Sequence, residues 1–413
     1  MKFYKSVRPA AAAVALIAPG IPKNLDVSSS PSIQSIAKTI AAGAMAYYPG
    51  DATHFVDLPD PYYWWETGAL FGAMVDYSHY TGDHSYDPTI ATAILAQAGP
   101  SFDYMLPKHY GDEGNDDQAF WGFAVMAAAE SNFPQPNTTM PSWLDMSENI
   151  WNSLASRWDM SACNGGMLWQ IFASNPNGLT YKNSVSNGGF FQLSARLARA
   201  TGNSTYADWA TKVWDWSKGV GLLDGDYNVY DGTNINDNCT TINHQTFSYS
   251  QGIYLYGAAV MANSSRTADD QLSWTKHTEG LLKASGSFFT PYPNATDIMY
   301  EHACELGGTC NTDMRSFKGY LSRFMSRSAR LVPSIAQDVN TILSMSARGA
   351  GFACTGGASG TTCGQKWYMG GFDGTVGLGE EMCALETIHG LLAKDATPPF
   401  KGDDIQTIRS FSS

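Results

Sequence analysis

Two adjacent aspartates, Asp116 and Asp117, stand in the segment GNDDQAFWG, immediately before an apolar run that extends to Ala129. One Asp at the start of a helix is explained by capping and by the helix dipole, which stabilises acids there. A second is less easily explained. Neighbouring helical side chains diverge by about 100°, so these carboxyls would reach different parts of one cleft. Glycosidases use such a pair, one carboxyl as nucleophile and one as acid/base. We therefore take Asp116 and Asp117 as the candidate catalytic pair.

Calcium binding is the alternative use of acidic loops. The segment around the two aspartates lacks the alternating ligand spacing of an EF-hand. Residues 224–238 begin with a suitable Asp224, Asp226 and Asn228, but Val229 stands where glycine is needed and Ile235 where the closing Glu belongs. The histidines show no ligand spacing, and neither G-x-S-x-G nor a P-loop pattern occurs. We predict no metal and no cofactor.

The composition narrows the classes of ligand. The chain has 413 residues, a net charge of −13, 13% aromatic residues and only 15% charged residues. The negative charge argues against nucleic acid or an anionic membrane surface as a partner. No stretch approaches the ~20 apolar residues that span a bilayer. An aromatic surface rich in uncharged polar residues is common in proteins that bind uncharged polar ligands.

Several features predict secretion. Lys2, Lys5 and Arg8 precede a short apolar run, which predicts a signal peptide over residues 1–24. Sequons for N-glycosylation begin at Asn137, Asn203, Asn238, Asn263 and Asn294. Seven cysteines fit an oxidising compartment. We predict the disulfides Cys304–Cys310 and Cys354–Cys363, a further pairing of Cys163 with Cys239, and a free buried thiol at Cys383.

Two kinds of helix alternate along the chain. Amphipathic helices are predicted near 32–47, 88–105, 143–158, 204–218, 268–284 and 334–346. Helices apolar nearly all round begin near Tyr63, Asp116, Asn187, Phe247, Arg315 and Val376, roughly sixty residues apart. The segments YTGDHSY and ATGNSTY share one frame, in which Gly82 and Gly202 are predicted to end a helix.

A helix that is apolar on all sides must be buried on all sides, whereas an amphipathic helix lies outside it. Six helical hairpins of this kind predict an all-α (α/α)6 toroid with the six inner N-termini at one face. We assign residues 25–395 to this single domain and 396–413 to a C-terminal tail, with short β-hairpins in 164–186 and 220–245.

The starts of the inner helices, and the loops before them, would supply aromatic, amide and acidic groups to one face. Rings stack on sugars and polar groups bind their hydroxyls. We predict the following sugar contacts: Trp64, Trp65, Trp121, Trp169, Asn187, Asp231, Tyr249, Asp313, Arg315, Phe317, Lys318, Trp367 and Asp373.

Several long motifs, in order, resemble glycoside hydrolase family 76, and more closely its fungal cell-wall branch of GPI-anchored mannosidase-like proteins. They are PYYWWETGALFGAMVDYSHYTGD, NDDQAFWG, KNSVSNGGFFQLSARLAR, FKGYLSRFM and GGFDGTVGLGEEMCALE, and the resemblance runs from about Leu25 to Leu392. It implies an (α/α)6 fold and α-1,6-mannan-type substrates. It also implies that Asp116 is the nucleophile and Asp117 the acid/base of a retaining mechanism.

The resemblance favours transfer of GPI-linked glycoproteins from the mannose core of the anchor to β-glucan in the cell wall. With water as acceptor, the same chemistry gives a secreted endo-α-1,6-mannanase. A mannan-binding wall protein without activity and another (α/α)6 activity, such as a β-glucanase or a lyase, remain alternatives. For a lyase only Arg315 and Lys318 supply positive charge. We expect a monomer at the cell surface, although the C-terminus DDIQTIRSFSS lacks the hydrophobic tail of a GPI signal.

Overall fold

The computed structural model describes residues 25–135, 139–175 and 178–407, and within these residues the chain is mostly α-helical. The helices are α1 (Ser30–Met45), α2 (Trp64–Thr81), α3 (Asp87–Ala96), α4 (Asn115–Glu130), α5 (Trp143–Ser156), α6 (Ser184–Thr201), α7 (Ser204–Gly219), α8 (Ser248–Ser264), α9 (Ala268–Ala284), α10 (Phe317–Leu331), α11 (Ala336–Ala353) and α12 (Leu378–His389). None of the helices in these residues is long and apolar enough to cross a membrane.

The even-numbered helices form the inner ring. Each packs against the next even-numbered helix, and α12 packs against α2 to close the ring. The odd-numbered helices lie outside and pack on the inner ones. The outer α7 buries Tyr206, Val213 and Trp216 and exposes Asp208 and Lys212, as its amphipathic pattern predicts. The predicted (α/α)6 fold is confirmed.

Small residues let the inner helices approach closely. On α8, a Cβ added to Gly252 would lie 2.9 Å from the Cα of Leu321 on α10. A larger side chain there would push α8 and α10 apart, because protein interiors are close-packed.

The helix ends follow local chemistry. Gly82 and Gly202 both have φ near +70° and end α2 and α6, as the shared motif predicts. The outer α3 ends at Ala96, well before the predicted residue 105. Pro100 explains the difference, because it cannot donate a backbone hydrogen bond to a continuing helix. In contrast, α11 continues to Ala353, beyond the predicted residue 346.

A small sheet stands beside the helices. Its strands are β1 (Tyr181–Asn183), β2 (Tyr230–Asn234) and β3 (Ile242–Thr246), all antiparallel in the order β1-β2-β3. The hairpin predicted in 220–245 is therefore present as β2–β3. The hairpin predicted in 164–186 is wrong, because β1 pairs with β2 instead of with a preceding strand.

All three predicted disulfides are present: Cys163–Cys239, Cys304–Cys310 and Cys354–Cys363. Cys383 is free and buried, as predicted. Among the sequons, Asn203, Asn238, Asn263 and Asn294 are exposed, and Asn137 lies outside the described residues. The side chain of Asn263 is already bound to Arg199 and to the carbonyl of Leu331.

The end of the ring opposite the inner N-termini is closed by buried ion pairs. Asp76 on α2 pairs with Arg323 and Arg327 on α10, and Glu130 on α4 pairs with Arg327 and with Arg196 on α6. Burial alone would raise the pKa of Asp76, but the two arginines outweigh it and lower this pKa to about 2.

The C-terminal segment packs against this closed end. The backbone N–H of Phe400 donates to the carbonyl oxygen of Glu130, and Arg199 donates to the carbonyl oxygens of Pro399 and Phe400. The described part of the predicted tail therefore covers the closed end of the ring.

Candidate active site

A cleft of about 330 Å³ opens at the face where the inner helices begin. It is lined by Tyr63, Trp64, Trp65, Asp112, Glu113, Asp116, Asp117, Phe120, Trp169, Gln170, Asn175, Tyr249, Asp313 and Phe317. These residues come from the starts of α2, α4, α8 and α10 and from the loops before α4, α6 and α10. The ring geometry thus brings together groups that are far apart in sequence.

The two candidate aspartates lie in the first turn of α4. Asp117 forms one half of a capping box, in which its Oδ2 accepts the backbone N–H of the N-cap residue Gly114. Glu66 does the same at the start of α2, accepting the N–H of Tyr63 at 2.8 Å. Asp117 therefore performs the capping role, and Asp116 is the second acid that capping does not require.

Gly114 leaves room for both carboxylates. A Cβ added there would lie 2.3 Å from Oδ1 of Asp116 and 3.0 Å from Oδ2 of Asp117. Real side chains do not make contacts this short, so only glycine fits. Since both oxygens lie this close to one point, they are no farther apart than about 5.3 Å, which is compatible with the ~5–5.5 Å between the carboxyl groups of a retaining pair.

Hydrogen bonds distinguish the two carboxylates. Oδ1 of Asp116 accepts the backbone N–H of Asp117 at 3.1 Å, and the polar side chain of Asn183 lies near enough to Asp116 to stabilise its anion. Burial raises the pKa of Asp116 to about 7 against these interactions. Burial raises the pKa of Asp117 well above its usual range, and the negative charge of Asp116 adds to this rise. Asp117 is thus the carboxyl that keeps the proton.

The loop before α4 is fixed from two sides. The backbone N–H of Asn115 donates to the carbonyl of Trp169 at 2.9 Å, and its side-chain amide donates to that of Leu168 at 2.8 Å. From α5, Arg157 donates to the side-chain oxygens of Asn115 and Gln118, which flank the aspartate pair. These bonds hold the first turn of α4 in place.

Aromatic rings form the other wall of the cleft. Tyr249 and Phe317 stack with ring centroids 3.9 Å apart, and Trp65 packs on Phe120 at 4.6 Å. The indole N–H of Trp65 donates to Asp313 at 3.2 Å. A cleft that combines acids with stacked rings suits a sugar, which presents hydroxyls at its edge and an apolar face.

Comparison with known proteins agrees with this geometry. The model of glycosyl hydrolase family 76 matches residues 32–403. The mannan endo-1,6-alpha-mannosidase DCW1 of Candida glabrata is 44% identical over 380 residues, which cover 91% of this chain and 83% of that protein. For the mannan endo-1,6-alpha-mannosidase DFG5 of Saccharomyces cerevisiae the identity is 40% over 388 residues, with 92% and 82% covered. The chain belongs to glycosyl hydrolase family 76.

Solved structures of the family share the fold. Dfg5 from Chaetomium thermophilum, solved in complex with glucosamine, superposes with a TM-score of 0.87 at 38% identity, over 93% of this chain and 95% of that chain. The α-1,6-mannanase GH76A of Salegentibacter sp. HEL1_6, solved as an inactive variant with α-1,6-mannotriose, gives a TM-score of 0.68 at 17% identity. It covers 87% of this chain and 99% of its own.

Six of the predicted sugar contacts line the cleft with the aspartate pair. They are Trp64, Trp65, Trp169, Tyr249, Asp313 and Phe317. Five of them lie at or just before the start of an inner helix, which is the position that the sequence pattern singled out, whereas Trp169 lies in the loop between α5 and α6.

Four other predicted sugar contacts are not among the residues that line the cleft, and their side chains are almost completely buried. Trp121 packs between Trp64 and Tyr104 in the core. Asn187 uses its amide to bind the backbone of Met167 and Asn183.

Lys318 and Trp367 are the other two buried residues. Lys318 forms a buried ion pair with Glu305 at 2.8 Å, and its ammonium group lies 4.0 Å from the centroid of the Trp367 ring. Both residues hold the start of α10 against the loop before α12.

The remaining three predicted contacts do not line this cleft. Arg315 pairs with Glu380 at 3.3 Å, and Asp231 accepts the hydroxyl of Tyr181 at 2.7 Å. Asp373 is occupied within its own loop by the backbone N–H groups of Gln365, Lys366 and Thr375, so it shapes that loop instead of binding sugar.

Sequence reasoning missed Asn183, Glu113 and Gln170. Asn183 caps α6 by accepting the N–H of Ser186 and contacts Asp116 as well. A helix-start pattern at Ser184 predicts the cap, but nothing local predicts the contact with α4. No group of His, Cys, Asp and Glu in the described ranges 25–135, 139–175 and 178–407 could hold a metal ion.

Proposed function

We propose that this protein is a retaining α-mannosidase-type enzyme that cleaves α-1,6-linked mannose and transfers the cleaved glycan to a sugar acceptor at the cell surface. The observation that carries the proposal is the close pair Asp116 and Asp117, held over Gly114 in a cleft with an aromatic wall. Both roles of a double displacement are available there.

Asp116 acts as the nucleophile in this mechanism. The side chain of Asn183 and the hydrogen bond from the Asp117 backbone stabilise its anion, and it attacks the anomeric carbon. Asp117 donates its proton to the departing glycosidic oxygen and later takes a proton from the acceptor hydroxyl. The short separation of the pair supports retention, because an inverting pair leaves room for a water molecule at ~6.5–9.5 Å.

The charge of the cleft supports a donor that carries an amino sugar. Five carboxyl groups line it, and no Lys, Arg or His is among the described lining residues. Asp117 and Glu113 keep their protons, but the anion of Asp116 attracts a cation, because none of these lining residues is basic. The similar Dfg5 from Chaetomium thermophilum was solved with glucosamine, and the relatives DCW1 and DFG5 are named as mannan endo-1,6-alpha-mannosidases. We therefore propose α-1,6-mannan or the mannose and glucosamine core of a GPI anchor as the donor.

Transfer to cell-wall β-glucan is the favoured outcome because of the resemblance to the fungal branch. Hydrolysis to give a secreted endo-α-1,6-mannanase is the second candidate, supported by the names of the relatives. The disulfides and the exposed sequons fit an extracellular location.

The test is intact-protein mass spectrometry with α-mannosyl fluoride as an activated donor. Asp117→Asn should accumulate a mannosyl adduct, because fluoride leaves without an acid and the second step lacks its base. Asp116→Asn should form none. In the unsubstituted enzyme, the rate at which the adduct disappears is then compared with β-glucan oligosaccharides and with water alone as acceptor, which separates transfer from hydrolysis. An adduct on Asp116→Asn, or none on any form, would count against the retaining mechanism.

A further inference from the structure

Glu113 is a buried carboxyl group at the cleft that the mechanism above does not use. Its side chain lines the cleft beside the aspartate pair, and the residue is 2% exposed. Neither carboxyl oxygen forms a hydrogen bond or a salt bridge with any described residue, although the charge of Arg157 acts on it from farther away. A buried polar group without a partner is costly, so natural proteins seldom keep one without a purpose.

Gln170 is a second such group in the same part of the cleft. The residue is 4% exposed, lines the cleft, and its Oε1 has no hydrogen-bond partner within the described part of the chain. Its backbone pairs with that of Gly114 in an isolated β-bridge, so it lies across from the residue that follows Glu113. Two unpartnered polar groups therefore lie close together at one end of the cleft.

Among the two aspartates, Asp117 is the one on which the charge of Glu113 acts. The N–H of Gly114, directly after Glu113, donates to Asp117. The side chains that act on Asp116 are instead Asn183 and Asp313. In a retaining mechanism the acid/base faces the leaving sugar and then the acceptor, whereas the nucleophile lies beneath the sugar that is transferred.

We propose that Glu113 and Gln170 form the polar wall of the subsite that holds the leaving sugar and then the acceptor sugar. This inference rests on the proposed function and adds to it the residues that choose the acceptor. Burial raises the pKa of Glu113 to about 8, so below that pH its carboxyl is neutral. A neutral carboxyl both donates and accepts, and an amide oxygen accepts, so together they match the hydroxyls of an uncharged sugar.

The first experiment measures binding in the inactive Asp116→Asn background, so that no turnover is needed. Affinity for α-1,6-mannotriose is compared for this protein alone and with Glu113→Ala, Glu113→Gln or Gln170→Ala added. We expect Glu113→Ala and Gln170→Ala each to weaken binding about three- to tenfold, the effect of losing one or two hydrogen bonds. Glu113→Gln, which keeps a donor and an acceptor, should stay within about twofold of the background.

The outcomes separate this inference from the proposed function. If the Asp116→Asn protein itself does not bind the trisaccharide, the proposed substrate is wrong and the subsite falls with it. If it binds and Glu113→Ala has no effect, only the subsite is wrong. If Glu113→Gln binds as weakly as Glu113→Ala, the carboxyl does not act as a hydrogen-bond donor and acceptor to the sugar, which also overturns the subsite.

A second measurement, with active enzyme, uses the acceptor. With mannosyl fluoride as donor, Glu113→Ala should raise the KM for a sugar acceptor about three- to tenfold and slow glycosyl-enzyme formation less, because fluoride occupies no sugar subsite. An equal effect on both steps would contradict an acceptor role. Exposed Asp269→Asn, at the start of the outer α9, controls for the loss of a carboxyl group outside the cleft, and thermal midpoints verify that each variant is folded.

Discussion

In the first turn of α4, the carboxylate of Asp117 accepts the N–H of Gly114 and also faces the cleft. A helix cap and the proposed catalytic acid are therefore combined in one residue. Glu66 at the start of α2 is the matching case, in which the acid caps the helix and burial raises its pKa to about 8. The difference is that α4 carries a second acid, and Gly114 makes room for it.

Gly114→Ala should nearly abolish activity while the protein stays folded. The new Cβ would lie 2.3 Å from Oδ1 of Asp116, so at least one carboxylate must move. A displacement of about 1 Å at a reacting group costs on the order of a hundredfold in rate. The matched control is Gly111→Ala in the same loop, where a Cβ meets nothing within 4 Å. Equal activity of both variants would show that this close approach is not needed.

The pH dependence of kcat/KM should report Asp116. The proposed nucleophile must be ionised, and burial raises the pKa of Asp116 to about 7, so activity should fall as the pH drops below about 7. The Asn183 side chain lowers this pKa. Asn183→Ala should therefore move the acid limb to higher pH, by about one unit or less.

Asn183→Ala also removes the cap of α6, so the control is Ser142→Ala, which removes a helix cap elsewhere. Ser142 caps α5 by accepting the N–H of Asp145, away from the cleft. Both variants should lose about 1 kcal/mol of stability, and only Asn183→Ala should move the acid limb. If the acid limb does not move in either variant, Asn183 does not act on the pKa of Asp116.

At the scale of the elements, the inner helices depend on close contact between backbones. A Cβ at Gly252 would lie 2.9 Å from the Cα of Leu321, and a backbone atom cannot yield as a flexible side chain does. We expect Gly252→Ala to lower the free energy of unfolding by about 1–3 kcal/mol, as overpacking does.

The matched control is Gly219→Ala in the last turn of the outer α7, where an added Cβ would meet no atom within 4 Å. It should be neutral or slightly stabilising, because alanine favours the helix. Urea unfolding of both variants measures the difference, and equal stability would show that α8 and α10 can separate without cost.

At the scale of the whole molecule, buried acids make stability depend on pH. Burial raises the pKa of Glu66 and of Glu301 to about 8, above the value of about 4.3 in an unfolded chain. A raised carboxyl pKa gives stability that is fully present below the unfolded value and is lost as the pH rises towards the folded value. The ion pairs of Asp76 act only at much lower pH, because its folded pKa is about 2.

The free energy of unfolding should therefore fall between pH 5 and pH 8, by at least about 2 kcal/mol. Urea unfolding across this range measures the slope. Glu301→Gln should reduce the slope, because an amide does not titrate. The amide can still accept the N–H of Ser248, so the local structure should be kept. Glu279→Gln, on the exposed side of α9, should not. Stability that rises over this range would contradict the argument.

The sequence by itself determined the helices, the order of the two rings and the candidate pair. Periodicity separates helices that are buried on all sides from helices that are buried on one side, and six such pairs close most simply into a ring. Local chemistry also fixed the helix ends at Gly82 and Gly202. The disulfides within single loops followed from the short spacing of their cysteines.

Only the tertiary structure decided which side chains face the cleft. Trp64 and Trp121 both lie near the start of an inner helix, yet Trp64 lines the cleft and Trp121 is fully buried. Each residue turns the side chain by about 100°, so nearness to a helix start does not fix its direction towards the cleft or the neighbouring helix. The contacts of Asn183, Glu113 and Gln170 join different elements, and such contacts exist only once the ring has closed.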